Sequence, residues 1–493
     1  MASNPDRSLC IIGTAKRTWH PGQAAPEPLE MWEEVARSAA ADTESRSDVL
    51  AAVDDLGVVH CQSWAYDDPP GRLASGLGIQ RARMSQSILA GTSPQRLLNA
   101  AAERMTAGDC QLALVVGGEA LASRRAIQRA GETVRWSSPH PNPPTLPVDL
   151  DEWYLQTEID HGILPAWLTF ALLGQARWAE RGATDEDRCA IGRLMERFNE
   201  VAVGNPAAWF RKPRVAAELD VPSPDNRMVA VPFTKRMTAF LDVDMAAANL
   251  LATRAEADRL GVPEDRRVYL RGWGFARDEV HIGARAELGS SPAMRTATGR
   301  ALRMAGVTVD DVQIFDLYSC FPSAVQFAID ALGLDPTDPR PLTVTGGLPY
   351  HGGPSSNYMG HSISHMVDEL RARPGLGLVT GIGMHMTKHV AAVWSSSAGD
   401  PLPPEPDAWP AHRAAEDVHR EGRGSARIAA ATVVHHPDGT PSHAVAICDL
   451  PGGGRCYARS DEEDIIATVA DDGWVDATAA LAAGPGDTNT FRC

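Results

Sequence analysis

The residues best equipped for chemistry gather in two stretches, Thr345–His365 (TGGLPYHGGPSSNYMGHSISH) and Gly381–His389 (GIGMHMTKH). Together they hold five histidines (His351, His361, His365, His385 and His389) and the tyrosines Tyr350 and Tyr358. Gly346-Gly347 and then Gly352-Gly353-Pro354 lead through small polar residues into a helical pattern. Glycine-rich backbone at a helix start predicts a cradle of N–H groups for an anion or a developing oxyanion. A tight turn capped by Ser355 or Ser356 is the plainer reading of the same residues. A metal centre is the other chemistry that histidines suggest, because His361 and His365 stand four apart on one helix face. H-S-I-S-H lacks the glutamate of a zincin helix and its spacing supplies no third ligand, so no metal is expected. There is no G-x-S-x-G elbow, Walker loop or G-x-G-x-x-G after the first strand. Nucleotide hydrolysis and dinucleotide redox chemistry therefore lack support.

The elements that must position these residues follow an α/β pattern. Ser8–Thr14 predicts a buried strand, Pro28 opens a helix with proline in its first turn, and Val53–Trp64 predicts a second strand. Gly91 opens another helix, followed by the strand Gln111–Ala120, which completes a βαβ series. The pattern then repeats. VDDLGVVHCQSW at Val53–Trp64 is echoed by VDDVQIFDLYSC at Val309–Cys320. The Gly91 turn, helix and ALVVGGE are echoed by the Gly352 turn, helix and GLVTGIG. A duplicated half-domain is expected, with the first half in 1–120 and 228–255 and the second in 256–398. Between them, 121–227 carries a proline-rich run (Ser137–Pro147) and two amphipathic helices, the pattern of an inserted helical loop domain. A proline-rich linker at 399–412 precedes 413–493, where short strands separated by D-G and G-G turns predict a small β-barrel or sandwich.

Composition narrows the function classes. The 493 residues are 44% hydrophobic and 22% charged, as expected of a soluble globular protein of several domains. A net charge of −17 argues against sequence-independent nucleic-acid binding. The cysteines Cys10, Cys61, Cys110, Cys189, Cys320, Cys448, Cys456 and Cys493 form no C-x-x-C pair. A reduced, cytoplasmic protein is the expectation. No apolar run suits a signal peptide or a membrane helix.

In a duplicated fold, equivalent turns meet near the pseudo-twofold axis. Gly91-Thr92-Ser93 is then expected near Gly352–Pro354, with Tyr318–Phe321 beside Gly381–His385. At this point EPLEMWEEVARSAA, GTSPQRLLNAAAERMTAG, DLYSCFPSAVQFAIDALGL, TGGLPYHGGPSSNYMGHSISHM and GLVTGIGMHMTKHVAAVWSS resemble the thiolase superfamily along the whole chain. The likeness is strongest to bacterial thiolase-like proteins with an extra C-terminal domain. The resemblance implies a layered αβαβα sandwich of two duplicated halves, a helical loop domain and a small OB-like C-terminal barrel. It also implies binding of acyl-CoA and making or breaking carbon–carbon bonds next to a thioester carbonyl.

The departures from the family pattern shape the expected mechanism. Counting back from the matching Gly108, Gly91 stands where a working thiolase has its nucleophilic cysteine. The family's N-E-A-F or H-D-C-F turn is Tyr318-Ser319-Cys320-Phe321 here, and its G-H-P motif is Gly352-Gly353-Pro354. The late C-x-G turn falls near Thr380–Gly383 without a cysteine. An enzyme thioester is therefore not expected. Aldol or retro-aldol chemistry is, since it needs only a base and a stabilised enolate. Tyr318, Tyr350, His351 and His385 are the candidate catalytic groups, and Gly91, Ser93, Gly352, Gly353, Gly381 and Gly383 the candidate cradle. Arg211, Lys212, Lys235 and Arg236 are the candidates for the CoA phosphates, with the thioester as substrate and no further cofactor. The resemblance also allows a homodimer, and a barrel standing in for a separate OB-fold partner. Two alternatives stay open: a degenerate acyl-CoA-binding protein, and an acyltransferase with an unconventional nucleophile.

Overall fold

The structure is a computed structural model that describes residues 8–143, 153–182, 185–399, 415–472 and 474–492. Most of the expected linker, and the end of the proline-rich run in the insertion, lie outside the described residues. Sixteen strands can be assigned among those described. They are β1 (Leu9–Thr18), β2 (Asp55–Val58), β3 (Arg83–Gln86), β4 (Leu112–Ala120), β5 (Met228–Ala230), β6 (Phe233–Thr234), β7 (Asp244–Thr253) and β8 (Val268–Arg277). The rest are β9 (Ile314–Asp316), β10 (Leu376–Gly383), β11 (Lys388–Ser395), β12 (Gly424–His435), β13 (Pro441–Asp449), β14 (Arg455–Ser460), β15 (Thr478–Ala483) and β16 (Asn489–Arg492).

Nine strands form one sheet in the order β3-β2-β4-β7-β1-β8-β11-β10-β9. Its two sides match about the β1–β8 seam. β2 runs parallel to β4 as β9 runs parallel to β10, and β4–β7 and β7–β1 are antiparallel as are β10–β11 and β11–β8. The seam itself is only Leu9–Ile11 against Val268–Leu270. The repeated sequences thus fall on β2 and β9, and on β4 and β10. All nine residues of β4 are buried, which is why LALVVGGEA is apolar throughout rather than alternating.

Helices cover these strands in layers. Helix Pro28–Asp42 packs on β1, β4 and β7, and helix Pro292–Ala305 on β8 and β11. Helices Ser93–Ala107 and Tyr358–Ala372 contact each other and strands of both sides, so they lie between the two half-sheets. Each half delivers one of these inner helices, and this brings two helix N-termini to the middle of the molecule. Helix Ser93–Ala107 has Pro94 in its first turn and Gly108 in the left-handed conformation just past its end, the chain-local signals that bound it.

The remaining sheet has the order β13-β14-β16-β15-β12-β5-β6, and β12 also pairs with β13. Strands β12 to β16 therefore close into a five-stranded barrel, with helix Glu463–Asp472 between β14 and β15. Residues 228–234, grouped with the first half on sequence, pair with the barrel instead: Ala230 stands opposite Val434. The apolar core runs without a break from the halves through the inserted helices to barrel residues Val445, Ile447 and Tyr457. No helix among the described residues is long and apolar enough to cross a membrane.

Candidate functional site

The first inner helix opens at Gly91, on which the phenol of Tyr318 rests. A Cβ added to Gly91 would lie 2.2 Å from the Tyr318 hydroxyl and 2.3 Å from the carbonyl oxygen of Ile382. The turn at Tyr318 and the end of β10 thus converge on this glycine. Thr380 anchors the turn by accepting the Tyr318 N–H at 2.9 Å. Burial, with Cys320 as a lesser cause, holds the Tyr318 phenol far above its ordinary value, so it is neutral at pH 7.

Behind Tyr318 lies a second tyrosine. Tyr358 is fully buried and meets Tyr318 edge-on, with ring centroids 5.5 Å apart. It also meets His351 edge-on, at 5.9 Å. Its hydroxyl is 2.6 Å from the Thr345 hydroxyl, which lies 3.2 Å from Asp316. The Asp316 carboxylate also accepts from Thr343 (2.7 Å), Val344 N–H (2.9 Å) and Ser362. This donor set lets a carboxylate sit where burial opposes its charge.

His351 is fully buried, its ring centroid 5.2 Å from that of His361 and 5.4 Å from that of His365. Nε2 of His351 and both ring nitrogens of His361 have no hydrogen-bond partner. Among the described residues, no group of three or more His, Cys, Asp or Glu is arranged to hold a metal ion. Burial depresses all three imidazoles, His351 to about 4.

His385 is a strut. Its Nε2 lies 2.6 Å from the Tyr154 hydroxyl and its Nδ1 3.0 Å from Thr169 Oγ1, so both ring nitrogens are occupied. Burial lowers it to about 4. The turn it belongs to is strained: Met384 (φ 55°) and Met386 (φ 58°) both lie in the left-handed region, each at a cost of about 1–3 kcal/mol. Gly383, just before it, faces Ala90 and Thr92.

Depressed imidazoles make stability depend on pH with a definite sign. Unfolded, His351 and His385 return to 6.5, so between there and about 4 the unfolded chain binds more protons. Stability is full above pH 6.5 and falls as pH drops toward 4, by on the order of 3 kcal/mol for each group. Urea unfolding at pH 7.5 and 5.0 checks this. His351→Gln should flatten the dependence, and an unchanged slope would exclude His351 from it.

The glycine cradle is only partly as expected. Ser356, not Gly352 or Gly353, meets the first helix, its hydroxyl accepting the Ala90 N–H at 3.0 Å. Gly353 donates its N–H to the Phe240 carbonyl at 2.8 Å and so cannot hold an oxyanion with it. Gly352 adopts φ 101° against Val243, Met245 and Trp209. Gly381 lies inside β10, its missing side chain filled by Met359 and Val390. Ser93 donates its hydroxyl to the Ile88 carbonyl. The reason is register: the 3-10 turn Ser355–Asn357 inserts before the second inner helix and moves the contact on from the glycines.

A cleft of about 770 Å³ opens beside the site. Its cationic lining is Arg125, Arg129, Lys212, Arg214, Lys235 and Arg236, against Asp225 and Asp242. Phe210, Phe240 and Tyr350 supply apolar surface. In a chain of net charge −17, such a concentration of positive side chains favours an anionic ligand. The wall Thr238–Asp242 is tied to the site turns, Ala239 donating its N–H to Cys320 at 2.8 Å. The hydroxyl of Tyr350 is buried without a partner, and burial raises its phenol. Arg211 is not part of the lining; its Nε donates to the Val203 carbonyl at 3.3 Å. Arg125 and Arg129, four apart on helix Leu121–Arg129, had a legible i,i+4 signal, and Thr380 stood in the late C-x-G turn, whereas Arg214 had none.

This two-sided sheet, with inner helices converging on Gly91 and Tyr318, defines a thiolase-type fold. The chain belongs to the thiolase superfamily. No family model matches it. It is similar to 3-ketoacyl-CoA thiolase B, peroxisomal, of Rattus norvegicus, 32% identical over 147 residues, which are 29% of this chain and 32% of that protein. The chain thus spans about a third of the length of that relative. The acetyl-CoA acetyltransferase of Methanothermobacter thermautotrophicus is 24% identical over 368 residues, 71% of this chain and 91% of that one. Among solved structures, a monomeric SCP2-thiolase-like protein type 1 from Mycobacterium smegmatis superposes with TM-score 0.85 and 29% identity over 100% of both chains. The Ltp2-ChsH2(DUF35) aldolase shares the fold, with TM-score 0.62 and 15% identity over 79% of this chain and 98% of that one.

Proposed function

We propose that the protein acts on acyl-CoA thioesters by aldol or retro-aldol chemistry, with a buried phenol standing where a thiolase has its nucleophilic cysteine. The observation that carries this reading is the Tyr318 hydroxyl over Gly91, which leaves no room for a side chain there. In the cleavage direction, a base takes the proton of the 3-hydroxyl and the Cα–Cβ bond breaks. The electron pair becomes the enolate of the shortened thioester, and a proton returned to Cα completes the balance. Tyr318, neutral at pH 7, is the proton donor, and His351, a neutral imidazole with Nε2 unpartnered, is the candidate acceptor; Tyr350, its phenol raised by burial and its hydroxyl unpartnered, is a second candidate donor. Cys320 is a packing residue in this scheme, its buried thiol pushed up and therefore not a thiolate.

The cationic cleft supports a CoA ligand, whose phosphates suit its arginines and lysines and whose adenine suits Phe210 and Phe240. Changing Lys235 and Arg236 together to glutamate is expected to raise KM for acyl-CoA at least tenfold, more at low salt, because the attraction is screened. Arg211→Ala should stay within twofold in the same steady-state assay. The barrel order β12-β13-β14-β16-β15, closed onto β12, supports an OB-like domain. By analogy of fold with the Ltp2-ChsH2(DUF35) aldolase, that domain takes the place of a separate partner.

The test is incubation of the purified protein with a panel of 3-hydroxyacyl- and 3-oxoacyl-CoAs, following shortened acyl-CoA and released aldehyde or ketone. Binding across the panel without any of these products would overturn the lyase reading and leave a binding protein.

A further inference from the structure

The barrel touches the site turn by two separate routes that start at one side chain. Tyr457, on β14, is fully buried where the barrel meets the body. Its hydroxyl accepts the Gly283 N–H at 2.8 Å and donates to Glu158 Oε1 at 2.6 Å. On the first route, Gly283 belongs to the short turn that ends at Arg285. Arg455, also on β14, donates to the carbonyls of Gly283 and Arg285. Arg285, itself buried, reaches from there to the strained turn and donates to the carbonyls of His385 at 2.7 Å and Met386 at 2.9 Å. On the second route, Glu158 accepts the Leu155 N–H at 2.8 Å, and the adjacent Tyr154 holds the His385 ring. Backbone and side chain of His385 are therefore both tied to the barrel.

This arrangement accounts for a conformation that local sequence opposes. Two non-glycine residues with positive φ in a four-residue turn persist only where surrounding contacts over-determine them. His389 holds the Met386 carbonyl from the β11 side at 2.9 Å, and Arg285 holds it from the barrel side. Gly283 is part of the same fit, since a Cβ there would lie 2.7 Å from the Tyr457 hydroxyl.

We propose that the C-terminal barrel is the clamp of the Met384–Thr387 turn, with Tyr457 and Arg455 as positioning residues acting through Arg285 and Glu158. The importance of that turn for turnover rests on the acyl-CoA reading above; the clamp itself does not. The full chain carrying Tyr457→Phe keeps the ring and loses only the hydroxyl. Its backbone amides at 384–388 are expected to exchange with deuterium at least tenfold faster than in the parent, with the strands of the nine-stranded sheet unchanged. On a 3-hydroxyacyl-CoA that the parent cleaves, kcat should fall at least tenfold with KM within twofold. Glu158→Gln keeps an acceptor for only one of Tyr457 and Leu155, so its exchange at 384–388 should fall between the parent and Tyr457→Phe. Arg492→Ala, which removes an exposed pair with Glu462 on the barrel's surface, should not alter the turn. Unchanged exchange at 384–388 in Tyr457→Phe, or equal acceleration throughout the chain, overturns the clamp. Should that variant not fold, Arg455→Lys is read in the same way. A parent without turnover on any thioester would defeat the lyase reading while the exchange measurement still decides the clamp.

Discussion

Tyr318→Phe is expected to lower kcat by roughly 100-fold or more while leaving KM for acyl-CoA within about twofold. The phenyl ring keeps the edge-on contact with Tyr358 and the fit over Gly91, so the fold has little reason to change. What disappears is the one O–H group at the position of the missing nucleophile. Because burial keeps that phenol neutral far above its ordinary range, its loss should be equal across the working pH range. The measurement is steady-state cleavage of a 3-hydroxyacyl-CoA from pH 6 to 9. Turnover within threefold of the parent would remove Tyr318 from the chemistry, and a rise in KM alone would make it a binding residue.

Gly91→Ala should be as damaging for a different reason. Gly91 is not in the left-handed region, so the backbone would accept alanine; the obstacle is space. The new methyl would stand 2.2 Å from the Tyr318 hydroxyl and 2.3 Å from the Ile382 carbonyl, and the carbonyl belongs to β10 and cannot rotate away. Overpacking of this kind costs about 1–3 kcal/mol, and displacing the phenol should cut kcat about as far as Tyr318→Phe does. The double variant should be little worse in kcat than either single one, since both act through one hydroxyl. Gly91→Cys meets the same obstruction. Intact-mass analysis after mixing it with acyl-CoA should find no acyl adduct, and a stoichiometric adduct would show that the site still has room for thiolase chemistry. Thermal unfolding of Gly91→Ala separates the stability cost from the kinetic one, and an unchanged midpoint with full activity would contradict the packing argument.

The chain's architecture is legible because its signals are local or repeated. VDDLGVVHCQSW and VDDVQIFDLYSC fall on β2 and β9, whose neighbours and directions correspond. Proline and glycine mark helix Ser93–Ala107 at both ends. The residue types of the site were equally visible: Tyr318 in its turn, Gly91 in place of a cysteine, and the basic pair Lys235-Arg236.

What the linear order leaves open is which neighbour completes each site. Gly353 carries the motif position yet bonds to Phe240, while Ser356, three residues on, reaches Ala90. His361 and His365 announce a shared helix face, but His351 joins them only because its loop folds over that helix. His385 sits in a glycine-rich turn that suggests chemistry, and Tyr154 and Thr169 from the insertion make it a strut. The reason is the range of the forces. Periodicity, caps and turn residues act within a few positions, so the sequence by itself determined the halves, the inner helices and the chemical groups offered. Hydrogen-bond partners, burial and the shape around Gly91 depend on segments hundreds of residues apart packing to a common register. Only the tertiary structure could put the Tyr318 hydroxyl over that glycine and bring the barrel's Tyr457 within reach of the turn beside it.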